Sequence, residues 1–81
     1  MRLVYTPHFL RSYSKAPKQI QRAFDKQSAL LLRDLSHPSL RAKKYDEAKN
    51  WWQPRLTRSW RFYFSIESDA CILKDMMSHP K

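Results

Sequence analysis

The stretch "QPRLTRSWRFYF", residues 53–64, sets two alternating segments on either side of a short polar turn. In its second half every other side chain is large and apolar, and the alternation continues to Ile66. A period of two is typical of a strand that buries one face. The core face of this strand is therefore expected to carry Trp60, Phe62, Phe64 and Ile66.

The first half of the stretch has Pro54 and Leu56 at matching spacing and predicts the partner strand. Apolar side chains meet apolar ones only if the turn is centred on Arg58, because a slip of one residue moves the whole set to the other face. Since proline cannot donate to a ladder, Pro54 predicts an edge strand or a bulge. This register predicts three cross-strand pairs: Leu56 with Trp60, Pro54 with Phe62, and Arg55 with Arg61.

The predicted pairing puts Arg55 opposite Arg61 on the exposed face, together with Gln53 and Tyr63. Like charges in this arrangement are unfavourable by about a few tenths of a kcal/mol. One interpretation is a cationic face that receives a phosphate, whose oxygens guanidinium groups bind in pairs. The alternative is a solvated strand face on which the two side chains extend apart. The sequence alone leaves both interpretations open.

The remaining elements follow from caps and from apolar periodicity. Residues 2–5 predict a short strand, and Thr6 with Pro7 predicts the start of a helix. Pro17 begins a second helix, whose apolar positions recur at helical spacing. Alternation predicts strands within residues 41–48, 51–57, 60–66 and 70–77. We expect an α+β fold with an N-terminal strand, a two-helix antiparallel hairpin and a small twisted antiparallel sheet, in one domain spanning residues 1–81.

The chain is strongly basic, since 16 lysines and arginines against 7 acidic residues give a net charge of +9. This charge predicts a polyanionic partner, with a merely solvated basic surface as the alternative. No apolar run is long enough for a membrane span or a signal peptide, so we expect a cytoplasmic protein without a membrane partner. The single cysteine, Cys71, excludes an internal disulfide framework and is expected to be a small buried strand residue.

Cleavage of RNA without a metal needs a proton acceptor for the 2′-oxygen, a proton donor for the leaving 5′-oxygen, and cations beside the phosphorane. Lys43 and Lys44 flank the arginine face, and His79 follows the last predicted strand with an imidazole that can donate or accept. Lys74 joins the face if it pairs with Tyr63. No set of His, Cys, Asp and Glu has metal-ligand spacing, so neither a metal nor another cofactor is expected.

Four segments carry a resemblance that covers nearly the whole chain. They are "FLRSYSKAPKQIQRAFDKQSALLL" (9–32), "HPSLRAKKY" (37–45), "PRLTRSWRFYFSI" (54–66) and "ILKDMMSHPK" (72–81). In this combination they resemble the RelE/ParE superfamily of small basic toxins from toxin–antitoxin pairs. The resemblance implies a cationic groove on the exposed sheet face, and an acidic cognate antitoxin as partner.

RelE-like members of the superfamily are ribosome-dependent endoribonucleases, which cut mRNA in the ribosomal A site through attack by the 2′-hydroxyl and without a metal. By this resemblance Arg55 and Arg61 bind and stabilise the scissile phosphate, while Lys44 and His79 share proton transfer. The further residues expected to contact RNA are Lys43, Arg58, Tyr63 and Lys74.

Two other functions stay open at this point. The ParE branch shares the fold but poisons DNA gyrase without cutting RNA, and no motif here cleanly separates the branches. A non-catalytic homologue would use its basic charge and aromatic side chains only to bind RNA or the ribosome. The set of Lys44, Arg55, Arg61 and His79 favours the ribonuclease.

Overall fold

The computed structural model describes residues 2–34, 37–40 and 42–78. In chain order these form β1 (Arg2–Tyr5), α1 (Pro7–Lys15), α2 (Lys18–Arg33), β2 (Lys43–Asp46), β3 (Trp51–Gln53), β4 (Trp60–Glu67) and β5 (Ala70–Ser78). A short 3-10 helix at Pro38–Leu40 precedes β2. This order confirms the predicted α+β fold, with an N-terminal strand, a helical hairpin and then the remaining strands.

The strands form one sheet in the order β1-β5-β4-β3-β2. The last four strands of the chain are antiparallel neighbours, as the sequence predicts. β1 adds to the free edge of β5 and runs parallel to it, from Arg2 opposite Ala70 to Tyr5 opposite Leu73. Parallel neighbours need a long crossover, which here is the whole chain between the two strands. The sheet is therefore mixed, and its antiparallel part is the predicted one.

The first helix begins where Thr6 and Pro7 predict. Thr6 Oγ1 accepts a hydrogen bond from the backbone N–H of Phe9 at 3.1 Å, and so satisfies a free donor of the first turn. Such a cap is worth about 1 kcal/mol. The same hydroxyl donates to the carbonyl oxygen of Leu73 at 2.7 Å, which fixes the helix start against β5. Neither helix of the described residues is long and apolar enough to cross a membrane.

The helices pack on one face of the sheet through a row of aromatic rings. The ring centroids of Phe9 and Phe24 lie 5.0 Å apart, and Phe24 meets Phe62 of β4 edge-on at 5.1 Å. Contacts of this kind add about 0.5–1.5 kcal/mol per pair beyond the burial of the rings. The core face of β4 is the predicted one, since Phe62 and Phe64 are fully buried, with Trp60 and Ile66 packed against the core.

The β3–β4 hairpin has the predicted register. A bridge joins Arg55 to Arg61, and the Phe62 N–H donates to the Pro54 carbonyl oxygen at 3.2 Å. These pairs centre the turn on Arg58. The edge position or bulge expected for Pro54 is not what the structure shows, because β3 ends one residue earlier, between β2 and β4, and Pro54 follows it fully buried. Its missing N–H removes one hydrogen bond from the pairing with β4, which resumes at Arg55 and Leu56.

Candidate functional site

The sheet face away from the helices, called the open face below, carries the paired Arg55 and Arg61. The backbone of Arg55 is held from two sides: its N–H donates to the Leu40 carbonyl at 2.9 Å, and its carbonyl accepts from Gln27 Nε2 at 3.2 Å. Its guanidinium makes no hydrogen bond or ion pair with any residue that the structure describes.

Arg61 is folded back over the hairpin turn. Its Nη1 donates to the carbonyl oxygens of Trp60 at 3.1 Å and Thr57 at 3.2 Å, with a longer contact of 3.4 Å to that of Arg58. Arg58 is itself exposed at the tip of the hairpin. Arg61 thus supports the turn, a role that strand alternation cannot reveal, while its charge stays unpaired with any carboxylate in the described ranges.

Beside the arginines the open face carries an aromatic cluster of Tyr45, Trp51 and Tyr63. The Tyr45 centroid lies 5.0 Å from that of Tyr63 and 6.5 Å from that of Trp51. The sequence predicts an exposed Tyr63, but only 4% of its surface is accessible, because its neighbours in the cluster cover it. Its hydroxyl also accepts a hydrogen bond from Gln53 Nε2 at 3.0 Å. Tyr45, 56% exposed, is the accessible ring and was not a predicted site residue.

Two lysines approach the ring of Trp51. Lys49 Nζ lies 5.4 Å from its centroid and Lys74 Nζ lies 6.0 Å from it. Tyr63 pairs with Asp75 and not with Lys74, which is the extra residue of a β-bulge. Lys74 therefore reaches the expected face as the unpaired residue of a bulge, which the sequence did not predict. Lys49 was missed because it lies in the turn after β2, where no alternation marks the facing of a side chain.

Lys43 and Lys44 lie on opposite faces of β2. Lys43 pairs with Gln53, and paired residues share a face, so Lys43 lies on the open side. Lys44 pairs with Trp52, and its Nζ lies 4.5 Å from the centroid of that ring. Trp52 stacks on the buried Phe64 at 6.4 Å and 9° between ring planes. Lys44 therefore covers the edge of the core and does not join the arginines.

The pKa shifts that the structure resolves lie away from the open face. Burial raises the pKa of the Cys71 thiol on β5. Burial and a hydrogen bond to Asp25 raise the pKa of Tyr13 on α1. No group of three His, Cys, Asp or Glu side chains within residues 2–34, 37–40 and 42–78 is arranged to hold a metal ion. The open face carries lysine and arginine side chains, and at the end of β4 it also carries Glu67, whose Oε2 accepts a hydrogen bond from Ser65 Oγ at 3.4 Å.

Comparison with known proteins identifies the architecture. No protein-family model and no curated protein matches the chain. A YoeB/ParE toxin from Agrobacterium tumefaciens superposes with a TM-score of 0.80 at 14% identity, over 99% of this chain and 100% of its own. A chain of the RelB–RelE antitoxin–toxin complex from Methanococcus jannaschii gives 0.78 at 14% identity, over 93% and 88%. The chain has the RelE/ParE fold.

YafQ from E. coli strain BL21(DE3) has the same fold, with a TM-score of 0.78 at 10% identity over 94% of this chain and 90% of its own. Within the RelE/ParE fold, the four residues predicted to do chemistry are not all brought together. Arg55 and Arg61 are adjacent, and Lys44 lies on the other face of the sheet. His79 lies outside the described residues. The roles of all four stay predictions.

Proposed function

We propose that the protein is the toxin of a toxin–antitoxin pair, and that it is an endoribonuclease that cuts mRNA in the ribosomal A site. The observation that carries the proposal is the opposed pair of Arg55 and Arg61, which has no carboxylate partner among the described residues. Folding alone disfavours two like charges in directly opposite positions. A phosphodiester bound by both guanidinium groups would turn this repulsion into binding energy.

The proposed reaction is attack of a 2′-oxygen on the adjacent phosphorus, with departure of the 5′-oxygen. A base takes the proton of the 2′-hydroxyl, and an acid gives a proton to the leaving oxygen. Arg55 and Arg61 stabilise the charge that the phosphorane gains between these steps, since fixed cations act most strongly where charge develops. The products are a 2′,3′-cyclic phosphate and a free 5′-hydroxyl.

Proton transfer is assigned to Lys44 and His79 by the resemblance alone. The geometry favours a different lysine, because Lys43 shares the open face with the arginines whereas Lys44 packs on the Trp52 ring. Lys44 would have to leave that ring before it could reach a phosphate at the arginine pair. The two lysines therefore make distinct and testable candidates.

An acidic antitoxin is the proposed protein partner. The matched RelE is in a complex with the antitoxin RelB. This chain has a net charge of +9, and the arginines of its open face have no ion pairs among the residues described. A partner with carboxylates would neutralise those charges and cover the proposed site, which would hold the toxin inactive.

Ribosomes programmed with a defined mRNA test the proposal. The expected products carry a 2′,3′-cyclic phosphate on one fragment and a 5′-hydroxyl on the other, identified by mass spectrometry, and they form only when the A site is empty of tRNA. A supercoiled plasmid incubated with DNA gyrase is the parallel assay. Intact mRNA together with gyrase-dependent DNA breaks would replace the ribonuclease with a gyrase inhibitor.

A further inference from the structure

The geometry points to a nucleobase subsite on the aromatic cluster: Tyr45 stacks one unpaired base of the RNA, and Lys49 and Lys74 hold a phosphate next to it. This inference deepens the proposed function and rests on it for the identity of the RNA. It assigns a binding role to Tyr45 and Lys49, which neither the sequence pattern nor the resemblance singles out.

The first observation is the exposure of Tyr45. At 56% it is the most exposed large apolar side chain of the described residues. The ring of Tyr45 is nonetheless held by contacts with two other rings. It stacks on Trp51 at 27° between ring planes and meets the buried Tyr63 edge-on at 65°. An aromatic ring that is held in place and open to solvent loses little conformational entropy when a base stacks on it.

The second observation is the charge around the cluster. Lys49 and Lys74 both place an ammonium group within 6.0 Å of the Trp51 ring centroid. The carboxylate of Asp46, the acidic residue of β2, accepts a hydrogen bond from the backbone N–H of Lys49 at 3.2 Å and so belongs to the turn. Stacking rings beside lysines are the combination that binds single-stranded nucleic acid.

The third observation is the position of the cluster relative to the arginine pair. Arg61 and Tyr63 are two residues apart on β4, which corresponds to about 7 Å along the strand. An extended RNA strand can therefore place one phosphate at Arg55 and Arg61 and the base of a neighbouring nucleotide at Tyr45. Acidic side chains alone would pair with the lysines but have no flat ring to match the exposed face of Tyr45.

Binding of an uncleavable RNA tests the subsite without any catalytic step. The probe is a fluorescein-labelled 2′-O-methyl RNA hexamer, measured by anisotropy with the 81-residue chain and compared with the same backbone made abasic at every position. We expect Tyr45→Ala to weaken binding of the intact hexamer by about 5- to 100-fold. Tyr45→Phe keeps the ring and should bind like the parent protein.

The matched control is Tyr5→Ala. Tyr5 is 45% exposed and lies on β1, at the opposite edge of the sheet, so its loss should leave RNA binding unchanged. The abasic backbone should bind the parent protein and Tyr45→Ala equally, because the ring then has nothing to stack on. Lys49→Ala and Lys74→Ala should each reduce the salt dependence of binding, whereas Lys18→Ala on the exposed side of α2 should not.

Three results would overturn the subsite: intact and abasic hexamers that bind the parent protein equally, unchanged binding by folded Tyr45→Ala, or a glutamate hexapeptide that binds as tightly as the RNA and depends on Tyr45. The last result would assign the cluster to an acidic protein partner. The ribosomal cleavage assay distinguishes failure of the subsite from failure of the proposed ribonuclease function. Cleavage by the parent protein with no Tyr45 effect on RNA binding rejects only the subsite, and base-dependent binding without cleavage rejects only the ribonuclease.

Discussion

Arg55 and Arg61 face each other across the β3–β4 hairpin, yet only Arg61 is bonded to the protein through its guanidinium among the residues described. Arg61 donates to carbonyl oxygens of the turn, whereas the guanidinium of Arg55 has no partner within residues 2–34, 37–40 and 42–78. The two arginines should therefore share a function and differ in their effect on stability.

Urea denaturation should separate the two arginines. We predict that Arg61→Ala lowers the free energy of unfolding by about 1 kcal/mol, because the turn carbonyls lose a charged donor. Arg55→Ala should stay within about 0.5 kcal/mol of the parent protein or stabilise it slightly, since it removes a like-charge contact. Equal losses of unfolding free energy for the two variants would contradict a stabilising role of the hydrogen bonds that Arg61 makes to the turn.

The two adjacent lysines of β2 should behave differently in the cleavage assay. We predict that Lys43→Ala lowers the rate of mRNA cleavage by about tenfold or more, because it removes a cation from the open face. Lys44→Ala should change the rate less, and should instead lower stability by about 0.5–1 kcal/mol through the lost contact with the Trp52 ring. A larger rate loss for Lys44→Ala than for Lys43→Ala would restore the proton-transfer role that the resemblance assigns to Lys44.

Asp75 should be important for stability although it lies in the bulge beside Lys74. Its Oδ1 accepts hydrogen bonds at 2.7 Å from Ser12 Oγ and from the backbone N–H of Met76, and its Oδ2 lies 3.1 Å from His8 Nε2. Its carboxylate therefore joins α1 to β5. We predict that Asp75→Asn costs about 1–3 kcal/mol in thermal or urea unfolding.

Asp69→Asn is the control for this variant, because that side chain is 75% exposed and makes only a 3.6 Å ion pair with Arg2. Exposed pairs of this kind contribute about 0–1 kcal/mol. Should the two asparagine variants unfold at the same denaturant concentration, the link between α1 and β5 through Asp75 would be unimportant.

The buried cysteine gives the protein a pH dependence of known sign. Cys71 is fully buried, as the sequence predicts, and burial raises its pKa above the ordinary value of 9.0. Above that value the unfolded chain ionises its thiol while the folded protein keeps the proton, so the stability falls as pH rises. We predict that the fall between about pH 8 and pH 10 is steeper for the parent protein than for Cys71→Ala, by at most about 1.4 kcal/mol per pH unit. Identical slopes would contradict this account.

The sequence predicts the hairpin register well, because every one-residue slip would expose Phe62 and Phe64. It predicts the facing of Lys74 poorly, since a bulge depends on how β5 fits beside β4 and leaves no periodic signal. The burial of Tyr63 on the open face is a second feature that the sequence predicts poorly. Alternation marks Tyr63 as non-core, but Tyr63 is buried by Tyr45 and Trp51, which come from other strands.

The candidate site was predictable in part. Strand alternation alone predicts that Arg55 and Arg61 lie on the exposed sheet face. The same alternation implies that Lys43 and Tyr45 share a face of β2. Lys44 lies away from the site because it pairs with Trp52, and the sequence gives no direct sign of that pairing. The contribution of His79 rests on the resemblance and stays a prediction.

The central claim is that the Arg55–Arg61 pair binds the scissile phosphate of mRNA. Primer extension on programmed ribosomes tests it most directly, with the parent protein beside Arg55→Ala and Arg22→Ala, the latter removing an equal charge from the exposed side of α2. The account predicts cuts inside the A-site codon that disappear with Arg55→Ala and persist with Arg22→Ala. Cuts that persist with folded Arg55→Ala, or intact mRNA beside a folded, ribosome-bound parent protein, would contradict it.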